Sequence, residues 1–141
     1  GGADARYITK TVELNEGQDA EDLRVIFDAY KPETANINVY YKILHADDED
    51  SLSLDVSYAQ MAQNTVSTVY SSSENQNDFR EYQYTPLEGV MTGINSSIQY
   101  TNSSGVTFTG FKKFKIKIVL LTTDPSNPPR IRDLRVLALQ R

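Results

Sequence analysis

The stretch Phe114-Lys115-Ile116-Lys117-Ile118-Val119-Leu120 decides the fold class of this chain. Large apolar residues occur at every second position, and lysines stand at most of the positions between them. The apolar set is Phe114, Ile116, Ile118 and Leu120, and the lysine row is Lys113, Lys115 and Lys117. Successive side chains of a strand point to opposite faces of its sheet. The pattern therefore predicts an antiparallel strand with one face in the core and one face towards water.

The same period of two recurs along the chain, with turn-forming residues between the runs. The inward positions are predicted to be Leu23, Val25, Phe27 and Ala29, then Ile37, Val39, Tyr41 and Ile43, and finally Leu134, Val136 and Ala138. Further strands are predicted over residues 6–14, with Ile8, Val12 and Leu14 inward, over 79–84, and around Ile98 and Tyr100. The segment 52–62 fits either a strand or a single helical turn.

Short strands at roughly ten-residue spacing are typical of a β-sandwich or barrel. We therefore expect an all-β protein with a two-sheet antiparallel sandwich, jelly-roll-like in architecture. No internal repeat or composition shift divides the 141 residues, so we expect one domain over 1–141. Because the chain begins Gly1-Gly2 without a methionine, we also expect it to be excised from a longer protein.

The charge is unevenly distributed along a chain of net charge −5. Residues 1–110 carry 6 Lys/Arg against 17 Asp/Glu, whereas residues 111–141 carry 8 against 2. The overall acidity argues against nucleic acid as a partner, because phosphates would be repelled. No apolar run approaches the roughly 20 residues that span a bilayer, so no membrane insertion is expected. The absence of cysteine excludes disulfides and thiolate chemistry.

The sequence offers little for catalysis. Its one histidine, His45, lies at a predicted strand end beside acidic residues, and no Gly-x-Ser-x-Gly motif presents a nucleophile. Paired carboxylates carry no signal in a chain with 19 acidic residues, since some pair will be close by chance. We therefore expect a protein that is not an enzyme and that needs no cofactor.

The acidic run Asp47-Asp48-Glu49-Asp50 allows two interpretations. Calcium prefers six to eight oxygen ligands, and Asp47, Asp48 and Asp50 are the candidate ligands here. Consecutive acids on an extended chain point to alternate sides, however, and the spacing of a helical calcium-binding loop is absent. A solvated turn without metal is the simpler interpretation, and calcium stays a second one.

Two sets of side chains are candidates for binding. The lysine row Lys113, Lys115 and Lys117 could contact a partner, although lysines on an exposed strand also prevent unwanted strand pairing. Tyr40 and Tyr82 could stack on sugar rings, although tyrosine is also common in strands for packing reasons. Asp133 and Arg135 flank Leu134 and are predicted to be ion partners across strands.

Several segments together resemble one family. The stretch 114–120 quoted above, the run Pro129 to Leu139, and three earlier segments (5–10, 37–44 and 78–82) occur in the order found in virion structural proteins of contractile-tailed phages of marine cyanobacteria. The region 46–64 departs from that family's more aromatic pattern. The resemblance implies a tail or baseplate component, assembled in the host cytoplasm, whose partners are other virion proteins. It implies no catalytic residues. The alternative function is a carbohydrate-binding module that recognises a host-surface glycan.

Overall fold

The computed structural model describes residues 3–14, 20–44, 58–63, 70–86, 91–92, 97–101 and 104–139. Every regular element within these ranges is a β-strand, which confirms the all-β prediction. The strands are β1 (Ala3–Ile8), β2 (Val12–Glu13), β3 (Asp22–Tyr30), β4 (Ala35–Leu44), β5 (Ala59–Gln63), β6 (Arg80–Pro86), β7 (Met91–Thr92), β8 (Ser97–Thr101), β9 (Thr107–Thr109), β10 (Lys113–Thr122) and β11 (Arg130–Leu139). In the part of the chain so described, there is no helix long and apolar enough to cross a membrane.

Most of the strands form one curled antiparallel sheet of eight strands. Its order is β1-β10-β4-β5-β6-β3-β11, with the short β2 also paired to β10. The remaining strands form a small sheet in the order β7-β8-β9. The antiparallel arrangement is as expected, but the two-sheet jelly-roll is not confirmed, because the large sheet is continuous from β1 to β11.

The continuity depends on β5, which divides its pairing between two neighbours. Ala59 and Gln60 pair with β4, whereas Met61, Ala62 and Gln63 pair with β6. A strand that changes partner halfway along its length forms a corner in a sheet. The two halves then share one core, and the hydroxyl of Tyr84 on β6 donates a hydrogen bond to the carbonyl oxygen of Ile37 on β4 at 3.4 Å. This segment is a strand, so the helical alternative does not hold for residues 59–63.

The core lies on the concave side and contains the predicted inward residues of β3, β4 and β10. Alternate residues of β4 and β10 are buried, as the period of two requires, whereas β3 also buries Asp22, Ile26 and Tyr30 of its other side. Each fully buried aliphatic or aromatic side chain contributes roughly 1.5–3 kcal/mol relative to exposure. The predicted facing is confirmed for Leu23, Val25, Phe27, Ala29, Ile37, Val39, Tyr41, Ile43, Phe114, Ile116, Ile118 and Leu120.

The prediction of one continuous strand over residues 6–14 is wrong. The chain forms β1 and β2 with a break between them, where Thr9 takes over part of the pairing to β10. Its backbone N–H donates to the Ile116 carbonyl at 2.9 Å, and its Oγ1 accepts from the Ile116 N–H at 3.0 Å. Ile8 pairs with Lys117 and is 52% exposed on the side opposite the core, so its predicted inward facing is also wrong. Val12 pairs with the inward Phe114 but is 40% exposed, because this edge has no further strand beside it among the described residues. Leu14 alone of the predicted trio packs against the core.

A β-bulge shifts the facing of β11 halfway along the strand. Arg132 pairs with Asp28 and Arg135 with Ile26, so one extra residue is inserted in β11. Asp133 occupies the bulge with φ of 55°, a left-handed conformation that Asp tolerates better than most residues. The shift explains why Ile131 packs against the core together with Leu134, Val136 and Ala138, which confirms the facing of the last three.

Candidate contact surface on the convex side of the sheet

The three lysines of β10 lie on the side of the sheet opposite the core. The strand register brings two β4 residues next to them, because Lys115 pairs with Lys42 and Lys117 with Tyr40. Tyr40 pairs in turn with Gln60 on β5, two residues after Tyr58. We call the resulting surface the lysine–tyrosine face; it consists of Tyr40, Lys42, Tyr58, Lys113, Lys115 and Lys117. All six side chains are half-buried, so they present polar ends above a packed base.

The tyrosine rings hold two of the ammonium groups in place. The Nζ atom of Lys117 lies 4.7 Å from the centroid of the Tyr40 ring and 4.3 Å from that of Tyr58. The Nζ atom of Lys42 lies 4.5 Å from the Tyr58 centroid. A cation over an aromatic ring gains about 0.5–1 kcal/mol at exposed sites. For Lys117 the contact leaves the N–H donors available, because a ring face is not a conventional acceptor.

The face concentrates positive charge on the three lysines of β10. None of the β10 lysines forms an ion pair with a carboxylate in the part of the chain that the structure describes. Burial lowers the pKa of Lys42, and the charges of Lys115 and Lys117 lower it further. Like charges directly opposite each other in a sheet destabilise it. The arrangement therefore costs the domain some stability, which an acidic partner would relieve.

Tyr82 does not belong to this surface and cannot act as an exposed stacking platform. Tyr82 shares one face of β6 with Tyr84, and that face is the buried one, so Tyr82 is only 2% exposed. Its ring centroid lies 6.4 Å from that of Phe27. Burial raises the pKa of Tyr82. Of the two candidate tyrosines, Tyr40 alone lies on the convex side.

Two members of the face were not proposed as binding residues from the sequence. The period of two places Lys42 opposite the inward Tyr41 and Ile43, but nothing in its own neighbourhood in the sequence indicates that Lys115 lies beside it. Tyr58 falls in the segment that fitted either a strand or a helical turn. A period of two through Tyr58 and Gln60 was the one available signal, and it is too short to decide.

A second lysine–tyrosine cluster lies inside the protein and has a structural role. Lys31 is 8% exposed, and its Nζ atom lies 5.1 Å from the ring centroid of Tyr70 and 5.5 Å from that of Tyr82. Its backbone exchanges hydrogen bonds with Ser71, whose N–H donates to the Lys31 carbonyl at 2.8 Å and whose Oγ accepts from the Lys31 N–H at 3.0 Å. Burial lowers the pKa of Lys31. These contacts fasten the loop after β3 to residues 70–71.

The arginines of β11 are largely engaged within the protein. Arg135 reaches Glu81 at 3.3 Å and Asp28 at 3.9 Å, which confirms it as a cross-strand ion partner. Asp133 instead contacts its neighbour Arg132 at 3.8 Å, so the prediction of a cross-strand partner for Asp133 is wrong. Arg130 donates a hydrogen bond to the Gln76 carbonyl at 2.6 Å. The basic side chains at this edge of the sheet thus form ion pairs or hydrogen bonds within the protein, whereas the β10 lysines form no ion pair among the described residues.

The candidate calcium ligands Asp47, Asp48 and Asp50 lie outside the described residues, as does His45. The calcium interpretation therefore stays a prediction. Among the residues that the structure does describe, no group of three or more His, Asp or Glu side chains could hold a metal ion.

Comparisons with known proteins add no family to these observations. No protein-family model matches the chain, and no match was found among the curated proteins or among the solved structures. Functional inference therefore rests on the residues and their geometry.

Proposed function

We propose that this chain is a non-catalytic interaction domain of a virion structural protein, in a phage tail or baseplate. Its lysine–tyrosine face would contact a neighbouring virion protein. The observation that carries the proposal is the β10 row of Lys113, Lys115 and Lys117, which has no carboxylate partner among the described residues. The resemblance of several segments to virion proteins supplies the setting, including assembly in the host cytoplasm.

We further propose that the curled sheet is one version of a jelly-roll-like sandwich formed by a single domain. Two features support this architecture. The corner strand β5 joins a β1-β10-β4 half to a β6-β3-β11 half. The inward residues of the two halves belong to one hydrophobic cluster, as they do where two sheets pack face to face. Such a domain leaves its convex surfaces available for neighbouring subunits.

Lysine acetylation tests the proposed function directly. Virions that carry this chain, and the isolated domain, would be treated with limiting acetylating reagent, and each modified lysine would be quantified by mass spectrometry. We expect Lys113, Lys115 and Lys117 to be several-fold less modified in the virion than in the isolated domain. Lys112, whose side chain alternates to the side of the sheet opposite Lys113, is the internal reference. Equal protection factors for Lys115 and Lys112 would contradict the proposal.

Glycan recognition is the second candidate function, and one observation favours it. Tyr40 and Tyr58 lie close together on the convex side, both within 5 Å of the same Lys117 ammonium, and the exposed Gln60 adds an amide nearby. Sugar sites combine aromatic and hydrogen-bonding side chains in this way. Binding of the labelled domain to an array of bacterial polysaccharides, with calcium and with chelator, would test it. Competable binding that is lost on chelation would also support calcium near Asp47, Asp48 and Asp50.

A further inference from the structure

The three lysines of the lysine–tyrosine face are evenly spaced, and this spacing says more about the partner than the positive charge alone. Lys113, Lys115 and Lys117 are alternate residues of one strand, so their Cα atoms are about 6.6–6.8 Å apart along the row. Alternate side chains of any other extended polypeptide have the same spacing. Carboxylates at every second residue of such a segment would therefore meet the three ammonium groups one to one.

The tyrosine contacts favour a carboxylate-bearing chain over a sugar. A sugar ring needs the open face of an aromatic ring, and ammonium groups at 4.3–4.7 Å cover part of the Tyr40 and Tyr58 rings, which leaves less ring surface for stacking. The Lys117 ammonium keeps its N–H donors for an acceptor. The contacts also hold long lysine side chains in place, which reduces the entropy lost when a partner binds.

The charge of the rest of the chain argues against a nucleic acid as the occupant. The lysine row is a local feature on a protein of net charge −5. A duplex presents closely spaced phosphates over a large area and would meet the acidic remainder of the chain as well. A short acidic segment covers the row alone, so it gains the attraction without the repulsion.

We propose that the lysine–tyrosine face binds an extended segment of a neighbouring protein chain that carries carboxylates at alternate residues. The inference rests on the proposed function, because it names the chemistry of the partner that contacts this face. The segment lies across the convex side along β10, with its carboxylates on Lys113, Lys115 and Lys117. Its other side chains point away from the sheet, so their identity matters little.

The test compares two fluorescent peptides of identical composition on the full chain. One alternates Glu and Thr four times, and the other has four Glu followed by four Thr. In an extended peptide the alternating sequence places all its carboxylates on one side, whereas the block sequence places half of them there. Fluorescence anisotropy is measured at low salt and again at about 0.5 M NaCl, where exposed charges are screened. Alginate, a polyuronate, serves as a competitor that carries carboxylates on sugars.

We expect the alternating peptide to bind several-fold more tightly than the block peptide, and to be released by salt. The variant Lys115→Gln/Lys117→Gln should weaken binding about ten-fold, which corresponds to about 0.7 kcal/mol for each exposed ion pair lost. The matched control Arg130→Gln/Arg132→Gln removes the same charge from β11, at the far end of the sheet order from β10, and should stay within about two-fold of the parent chain. A thermal melt of each variant confirms that it is folded.

Three results would overturn the inference. Equal affinity for the two peptides would show that charge is recognised without strand spacing. Stronger competition by alginate than by the alternating peptide, per carboxylate, would assign the face to an anionic glycan. Absence of binding to both peptides would show that an extended acidic segment is not the partner. Protection of Lys115 from acetylation in the virion would still stand in that last case, so failure here is distinguishable from failure of the proposed function.

Discussion

Strands β10 and β11 are the same length and carry the same mixture of apolar and basic residues, yet they are used differently. Strand β10 lies between β4 on one side and β1 and β2 on the other, and its inward Ile116 and Ile118 are fully buried. Strand β11 pairs with β3 alone among the described strands, and its inward Val136 is half-buried. Alternation in a sequence therefore indicates which way a side chain faces, but position in the sheet determines how deeply it is buried.

The outward sides of the two strands differ as well. Arg135 of β11 is satisfied by Glu81 and Asp28 within the same protein. The lysines of β10 have no such carboxylates among the described residues, and they lie beside Lys42 instead. Basic residues that a domain pairs internally contribute to its own stability, whereas basic residues left together are available to a partner. This difference is the basis of the proposed function.

The largest difference between the two strands should appear on their inward sides. Ile118→Ala removes a fully buried side chain from a strand flanked on both sides, so it should cost about 2–5 kcal/mol of unfolding free energy. Val136→Ala removes less from a partly open site on β11 and should cost about 1 kcal/mol. Urea denaturation of both variants measures the difference. Equal costs would show that sheet position does not control burial in the way we describe.

Two glycines on either side of β9 offer a second matched pair of substitutions. Gly105 and Gly110 both have left-handed backbones, with φ of 81° and 84°. A Cβ atom at Gly105 would meet nothing within 4 Å, whereas one at Gly110 would lie 2.9 Å from the Ala20 carbonyl oxygen. We expect Gly105→Ala to cost about 1 kcal/mol from conformation alone and Gly110→Ala about 2–3 kcal/mol. Thermal melts that rank Gly105→Ala as the more harmful would contradict the close approach of the chain at Ala20.

High pH should destabilise the protein, because it ionises tyrosines that are buried on β4 and β6. Burial raises the pKa of Tyr41 on β4 from 10.0 to about 12 and raises that of Tyr84 on β6 as well. The folded protein then binds more protons than the unfolded chain above pH 10, so stability falls as pH rises; Tyr41 alone accounts for about 2 kcal/mol by pH 12.

Lys31 has the opposite effect on the pH dependence of stability. Its lowered pKa makes the folded state bind fewer protons than the unfolded chain, so Lys31 raises stability with pH only up to its ordinary pKa of 10.5. The tyrosine effect should therefore be measured between pH 11 and 12. Absorbance at about 295 nm reports tyrosinate in the same samples. Full ionisation of all nine tyrosines by pH 11 without unfolding would contradict the burial of Tyr41 and Tyr84.

Much of the fold could be predicted because the period of two is strong where a strand has one buried and one open side. Ile37 to Ile43 and Phe114 to Leu120 are such cases. Val12 shows the same alternation but lies at an edge, and a sequence does not state which strand is an edge. Ile8 lies on the other side of the sheet, because the pairing with β10 shifts by one residue between β1 and β2. The bulge at Asp133 could not be predicted from the sequence either. The facing of Leu134, which follows the bulge, was nevertheless predicted correctly.

The candidate site could be predicted only in part, because it combines distant segments. The lysine row was evident within one strand. Its neighbours Lys42 and Tyr58 join it through the pairing of β10 with β4 and of β4 with β5, which depends on the whole sheet. The prediction that Tyr82 is exposed was wrong because the strand around it has few aliphatic residues. Without a row of aliphatic residues, the sequence does not distinguish the inward side of the strand from the outward side.

The smallest expected effect tests the central claim most directly, namely that the β10 lysines are not neutralised within the domain. The measurement is the unfolding free energy of Lys115→Gln relative to the parent chain, in low salt and in about 1 M NaCl. Because Lys115 lies opposite Lys42, the variant should be more stable by up to about 0.5 kcal/mol in low salt, and the difference should vanish when salt screens the charges. A variant that is less stable by more than about 1 kcal/mol in low salt would show that Lys115 is paired inside the protein, which would contradict its role as a contact residue.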